Sequence, residues 1–362
     1  MAKTQMRPRG EEIRRFILEN VEYHSDDIAK VTGEHFKITR QAVHKHLHRL
    51  ISEKILIEEG NTRGRTYKLV NLSEWQKDYS ISPDLAEDVV WRNDVLPALE
   101  PLSPNGLDIW RYGFTEIFNN AIEHSEGSLI SVAVVKTAAM IEIFIVDNGV
   151  GIFKKIQREF NLLDERHAIL ELSKGKLTTD PSHHSGEGIF FTSRMFDSFV
   201  IDSGEIALTH SSDRPLDVLV NSKNQEGTVV SMVLSNYTSR KVDEVFNQFA
   251  SGEEDPSFNK TIVPIALAQY GEDKLVSRSQ AKRILTRVEL FKKILLDFEN
   301  VPSIGQGFAD EMFRVFPNEH PSLELMPINL NPDVRRMIVR AKAGAIREEE
   351  QDSLKSPKSR LT

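Results

Sequence analysis

Cysteine is absent from all 362 residues, which excludes disulfides and thiolate metal centres and suits a cytoplasmic protein. No stretch approaches the roughly 20 uncharged apolar residues that a membrane-spanning helix needs. The opening Met-Ala-Lys-Thr-Gln-Met-Arg-Pro-Arg-Gly has no apolar core behind its basic residues, so a secretory signal is not expected. Also missing is any Gly-x-x-x-x-Gly-Lys-Ser/Thr loop, the common phosphate cradle. No internal repeat is present. What remains is an ordinary globular composition, 40% hydrophobic and 28% charged, with length enough for two or three domains.

The net charge of −8 conceals an asymmetry. Residues 1–70 hold 14 Lys and Arg against 10 Asp and Glu, a net of +4, which leaves −12 on the remainder. A basic head on an acidic body confines any nucleic-acid contact to the head.

Apolar spacing in the head predicts three helices and a hairpin. Ile13, Phe16, Ile17 and Leu18 form the stripe of the first helix. Ser25 is read as N-cap of a second, through Ile28 and Val31, stopped by Gly33. Thr39 caps a third, with Val43, Leu47, Leu50 and Ile51 inward. Ile55–Val70 alternates around Gly60-Asn61 as a hairpin does. This pattern resembles a winged helix-turn-helix domain. The resemblance implies DNA contact through Arg40, Gln41, His44, Lys45 and His48 on the third helix, with Arg63 and Arg65 of the wing on phosphates. His44 and His48 stand one turn apart, but no further metal ligand accompanies them.

A connector is expected over 71–105, with a helix around Leu85–Leu99 and a break at Pro101 and Pro104. Beyond it lie three short motifs. Glu116-Ile-Phe-Asn-Asn120-Ala121 places a carboxylate and a carboxamide on one face of a helix beginning at Leu107. Asp147-Asn-Gly149-Val-Gly151-Ile152 ends a strand in an acid and turns on glycines. Ser185-Gly186-Glu187-Gly188-Ile189 is a glycine loop opening onto a helix to Phe196. Strands are expected at Ile130–Val135, Ile141–Asp147, Phe199–Asp202, Ile206–Thr209 and Thr228–Leu234. A polar, mobile stretch is expected from Leu172 to Ser185.

In this order the motifs resemble the ATPase superfamily of gyrase, heat-shock chaperones, histidine kinases and mismatch-repair proteins (GHKL), over Leu107–Leu234. The resemblance implies a two-layer α/β sandwich of the Bergerat type that binds ATP and Mg²⁺. Asn120 would be the Mg²⁺ ligand and Glu116 the base acting on the attacking water or hydroxyl. Asp147 would accept from the adenine amino group. Gly149 and Gly151 would let the backbone pass close to the nucleotide. Gly186 and Gly188 would present backbone N–H groups to phosphate, and Thr228 would stand near the adenine. The lid looks as much like that of the anti-sigma-factor serine kinases as that of histidine kinases. Glu123 departs from the basic residue that histidine kinases often place after Asn-Ala; Lys174, Lys176, His183 or His184 are candidates to supply that charge.

After a break at Ser251–Ser257, strands at Thr261–Pro264 and Lys293–Phe298 alternate with helices from Ser277 to Phe291 and from Phe308 to Phe316. Ile294–Glu311 resembles the strand–loop–helix of STAS domains, with Asp297 at the strand end and Asp310 on the helix. Gly305-Gln306 stands where those domains carry Asp-Ser, which leaves Ser303 as the nearby hydroxyl.

The expected fold class is therefore α+β and multidomain: winged helix-turn-helix (1–70), connector (71–105), ATP-binding sandwich (106–250), STAS-like domain (256–345) and disordered tail (346–362). Three functions stay open: a DNA-binding transcriptional regulator gated by Mg-ATP, a serine kinase acting on a STAS-like domain, and an ATP-binding scaffold whose head contacts protein.

Overall fold

The computed structural model describes residues 8–61, 64–178, 185–213, 217–252, 255–269 and 274–355. At the N-terminus α1 (Pro8–Asn20), α2 (Ile28–Phe36) and α3 (Arg40–Ser52) bury Ile13, Ile17, Ile28, Val43, Leu47 and Leu50 in one core. The Thr39 hydroxyl accepts from the Ala42 amide and so caps α3. β1 (Leu56–Glu59) and β2 (Thr66–Leu69) pair antiparallel, Leu56 opposite Leu69. Two local expectations fail at α2. It starts at Ile28, and the Ser25 carbonyl accepts instead from the Tyr67 amide of the hairpin. Gly33 lies inside the helix, which ends at Lys37 with φ 52°, its N–H bonding back to the Gly33 carbonyl. The left-handed closing residue, usually a glycine, is a lysine here.

The chain forms two compact units. One comprises Met1–Gly149, Phe196–Phe199 and Val229–Lys241; the other comprises Val150–Met195, Val200–Thr228 and Val242–Thr362.

In the first unit the expected connector holds a strand, β3 (Ser73–Ser80), paired antiparallel with β4 (Leu129–Lys136). β5 (Met140–Asp147) follows on, and with β6 (Ser198–Ser211) and β7 (Asp217–Ser235) the sheet order is β3-β4-β5-β7-β6. β6 and β7 each contribute residues to both units. β3 reads as loop because it is an edge strand: of Ser-Glu-Trp-Gln-Lys-Asp-Tyr-Ser only Tyr79 is buried. The two strands expected at Phe199–Asp202 and Ile206–Thr209 are the single β6, continuous through Gly204. The helix of the connector is α4 (Glu87–Val90), a π-helical turn (Trp91–Val95) and α5 (Leu96–Leu99). α6 (Pro104–His124) begins at Pro104 rather than Leu107, because the Ser103 hydroxyl caps it and proline suits a first helical position. Its buried face, Ile109, Trp110, Phe114, Ile117, Phe118 and Ala121, packs Phe118 against Tyr79 and Trp110 against Phe196. The core of the head also takes in Ala139 from the turn between β4 and β5.

The second unit carries α7 (Ile152–Glu159), α8 (Glu165–Lys174), α9 (Gly188–Met195) and α10 (Val242–Gln248). The expected break holds a small hairpin, β8 (Ala250–Gly252) and β9 (Asp255–Phe258). Then comes a parallel sheet of β10 (Lys260–Pro264), β11 (Lys293–Asp297) and β12 (Glu324–Ile328), in that order. Its crossovers are helical, as parallel pairing demands. The first is α11 (Arg278–Leu285), started by a Ser277–Gln280 capping box. The second is α12 (Gln306–Asp310), a π-helical turn (Glu311–Val315) and α13 (Phe316–Glu319). The closing α14 spans Pro332–Lys355, so residues 346–355 are helical where a charged composition led us to expect disorder. Among the described residues no helix is long and apolar enough to cross a membrane.

Candidate functional site

Of the residues assigned to nucleotide and metal, Glu116, Asn120, Asp147 and Gly149 fall in the first unit. In β5 the residues Ile141, Ile143 and Ile145 are buried in alternation, and Asp147 occupies the next buried position, opposite Ile130 of β4. A carboxylate therefore stands where the pattern would continue with an apolar side chain. Burying a charge without partners is costly, and Asp147 Oδ1 accepts from the Gly149 amide at 2.9 Å. Glu116 and Asn120 sit one turn apart on α6, both half-buried, beside its apolar face.

The turn after β5 is fixed to the end of α6. A Cβ on Gly149 would lie 2.0 Å from the Ser125 carbonyl oxygen, so no other residue fits there without moving the helix terminus. Asn148 Oδ1 accepts from the amides of Ser128 and Leu129 at 2.8 and 3.0 Å. The sequence reading passed over Asn148, although its place between Asp147 and Gly149 was a signal of turn chemistry.

Gly151, Thr228, Gly186 and Gly188 fall in the second unit. Gly151 precedes α7 with φ 88°, and the Thr228 hydroxyl accepts from the Ile152 amide at 3.1 Å. Thr228 thus satisfies one of the free amides at the start of α7. Gly186 (φ 68°) accepts at its carbonyl from the Leu177 amide at 3.2 Å, and Gly188 opens α9.

The stretch expected to be mobile from Leu172 proves otherwise at its start. Leu172, Ser173 and Lys174 are the last residues of α8 and are buried. Lys174 Nζ donates to Glu171 Oε1 at 2.6 Å and to the Thr286 carbonyl at 2.8 Å. Burial pulls the Lys174 ammonium below the usual lysine range, against the opposing pull of Glu171. It is committed to internal partners rather than offered to a phosphate. Lys176 Nζ donates to the Leu290 carbonyl at 3.1 Å. His183 and His184 lie outside the described residues.

A second buried cluster escaped the sequence reading. Arg194 of α9 lies over the Phe190 ring at 3.6 Å and pairs with Asp217 at 3.4 Å; His210 Nδ1 is 2.7 Å from the other Asp217 oxygen. Burial pushes the Asp217 carboxyl up, but Arg194 and His210 outweigh it and hold the group below its ordinary value.

On the head, Arg40, Gln41, Lys45 and His48 of α3 are exposed, and His44 is half-buried. Partial burial, then Arg40, His48 and Arg65, hold the His44 imidazole below its usual value. The part of that shift due to Arg40, His48 and Arg65 reflects positive neighbours, partly opposed by Glu58. Arg65 faces Glu58 at 3.5 Å, and Arg63 lies outside the described residues.

At the carboxyl end of β11, Asp297 Oδ1 accepts from the Glu299 amide and from Asn329 Nδ2, both at 2.9 Å. Asp310 holds Arg278 and Arg314. Both acids are engaged in holding loops and helices together.

Residues 280–335 match a family described as a STAS-like domain of unknown function (DUF4325). A C-terminal STAS-like domain is thus present; the matched residues contain the Ile294–Glu311 pattern and lie within the expected domain range of 256–345. A search of the curated proteins found no match.

Proposed function

We propose that this chain is a cytoplasmic, ATP-binding regulatory protein that binds DNA through a winged helix-turn-helix head and whose state is set by Mg-ATP. The observation that carries the nucleotide reading is Asp147. It is a carboxylate in the buried phase of a strand, with Glu116 and Asn120 on the helix whose terminus its turn abuts. In this reading Asp147 accepts from the adenine amino group, Asn120 supplies one oxygen to Mg²⁺, and Glu116 orients or deprotonates the attacking group. One protein oxygen suits Mg²⁺, which keeps waters and phosphate oxygens as its other ligands. Phosphoryl transfer then depends on positioning and charge stabilisation. In the same reading, by the superfamily resemblance, the backbone at Gly149 and Gly151 passes close to the nucleotide, Gly186 and Gly188 face phosphate, and Thr228 stands near the adenine. The DNA reading draws on the exposed Arg40, Gln41, Lys45 and His48 of α3 and the shifted His44.

The test is incubation with γ-labelled ATP and Mg²⁺, reading free and protein-bound phosphate together. Free phosphate supports the switch; label on protein supports the serine-kinase reading, which the STAS-like domain favours and the Gly305-Gln306 loop does not. Glu116→Ala should keep nucleotide affinity and lower turnover by about 10²–10⁴-fold. Asp147→Asn should weaken binding itself, by roughly tenfold or more for a hydrogen bond to a charged group. Equal turnover in Glu116→Ala and the parent sinks the base assignment. A protein that binds ATP without turnover, and whose head binds protein rather than DNA, is the scaffold.

A further inference from the structure

The segment Glu171–Leu177 leads towards the glycine loop at Ser185–Ile189, and its two lysines, side chain and carbonyl alike, are held by the parallel-sheet domain. Lys174 Nζ reaches the Thr286 carbonyl at 2.8 Å, and the Lys174 carbonyl accepts from Thr261 Oγ1 at 2.7 Å. Lys176 Nζ reaches the Leu290 carbonyl at 3.1 Å, and the Lys176 carbonyl accepts from Arg287 Nη2 at 2.5 Å. Arg287 Nε also lies 3.6 Å from Glu171 Oε2. Both lysines and both their carbonyls are therefore bound to β10 or to residues 286–290. Apolar contact seals the arrangement: a Cβ on Gly175 would fall 2.7 Å from the Phe258 ring, and Lys176 lies over Phe258 and Phe291 at 5.5 and 5.0 Å. From there the Leu177 amide bonds to the Gly186 carbonyl, which passes the constraint to the glycine loop.

We propose that the STAS-like domain acts in cis as an autoinhibitory clamp on Glu171–Leu177, withdrawing Lys174 and Lys176 from phosphate, so that ATP binds tightly only when the clamp releases. The inference rests on the Mg-ATP reading above. It gives the STAS-like domain a role that needs no phosphorylated serine. It also gives any partner of that domain a route to nucleotide affinity, because whatever favours the released state lowers the apparent dissociation constant.

The experiment pairs Arg287→Ala, which removes the bond to the Lys176 carbonyl, with Thr261→Val, which removes only a hydroxyl. Two quantities are read on the full chain: tryptic cleavage after Lys174 and Lys176, by mass spectrometry, and Mg-ATP affinity, by calorimetry. Arg287→Ala should speed cleavage at those two bonds and tighten ATP about tenfold, as for a clamp that leaves about one molecule in ten competent. Thr261→Val should move both in the same direction by less, and it answers the question if Arg287→Ala does not fold. Unchanged cleavage in both variants overturns the clamp. Faster cleavage with unchanged or weaker ATP binding overturns autoinhibition. If neither parent nor variants bind Mg-ATP, the nucleotide reading itself fails; if all bind equally, only the clamp fails.

Discussion

On α3, Arg40 and Lys45 stand exposed, whereas on α8 Lys174 is buried and on α9 Arg194 is largely covered, among carboxylates, carbonyls and rings. All four are cations on helices, and the local partners of the two covered ones, Glu171 for Lys174 and Phe190 for Arg194, do not by themselves account for their burial. The difference lies in what is brought to them from elsewhere in the chain. Lys174 has Glu171 one turn back, and Thr261 and Thr286 enclose the same turn. Arg194 is met by Asp217 and the Phe190 ring. An exposed cation keeps its hydration and can exchange water for a phosphate at little cost; a buried one has already given up its water and is held by fixed partners. The same residue types are therefore left open to solvent on the head and held by internal partners in the second unit.

Removing a buried cation should break this contrast most forcefully. Lys174→Met leaves Glu171 buried without its closest partner and should lower stability by about 3–5 kcal/mol. Glu171→Gln together with Lys174→Met removes both charges and should recover a large part of that loss. Urea midpoints for the two single variants and the double variant give the coupling. Losses that simply add would mean that the two residues act independently.

A milder test uses Asp217. Its carboxyl is held below its ordinary value, so the stabilisation is fully present above the unfolded value, about 3.9, and is lost as pH falls through the lower folded one. Asp217→Asn should be less stable than the parent by about 1–3 kcal/mol at neutral pH, the cost of weakening hydrogen bonds to a charged group. That deficit should narrow once the pH drops below about 3.9. Denaturant midpoints across pH check both points; a deficit that stays constant in acid removes Asp217 as the charged member of the cluster.

Where local rules decide, the sequence was readable. Thr39 and Ser277 cap the helices they were expected to cap or begin, the Ile130–Val135 and Ile141–Asp147 alternations became β4 and β5, and Gly188 opens α9. Where a distant partner decides, it was not. β3 is polar because a sheet edge has a solvent-facing side, so it read as a connector. Leu172–Lys174 read as mobile because Lys and Ser count as solvent residues until Thr261 and Thr286 arrive from residues about a hundred positions on. β12 and α14 passed unnoticed, although parallel strands call for helices over both faces of their sheet. The candidate nucleotide residues were legible as a motif series; the engagement of the neighbouring lysines was not.

The exposed side of the comparison yields the smallest effect and the most specific one. If α3 meets DNA phosphates, each of Arg40→Ala and Lys45→Ala should reduce the slope of log affinity against log salt by about 1, evenly across sequences. Arg65→Ala should change it less, since Glu58 at 3.5 Å already offsets part of that charge. His44 should respond without being mutated. Arg40, His48 and Arg65 contribute to holding its imidazole below the usual value, and phosphates laid across this face would reverse their influence and raise it. Titrating the His44 ring by NMR with and without a duplex reads this directly. A rise in step with the salt slopes assigns the face to DNA. Slopes unchanged in all three variants, with His44 unmoved, would assign the exposed cations of α3 to a protein surface instead.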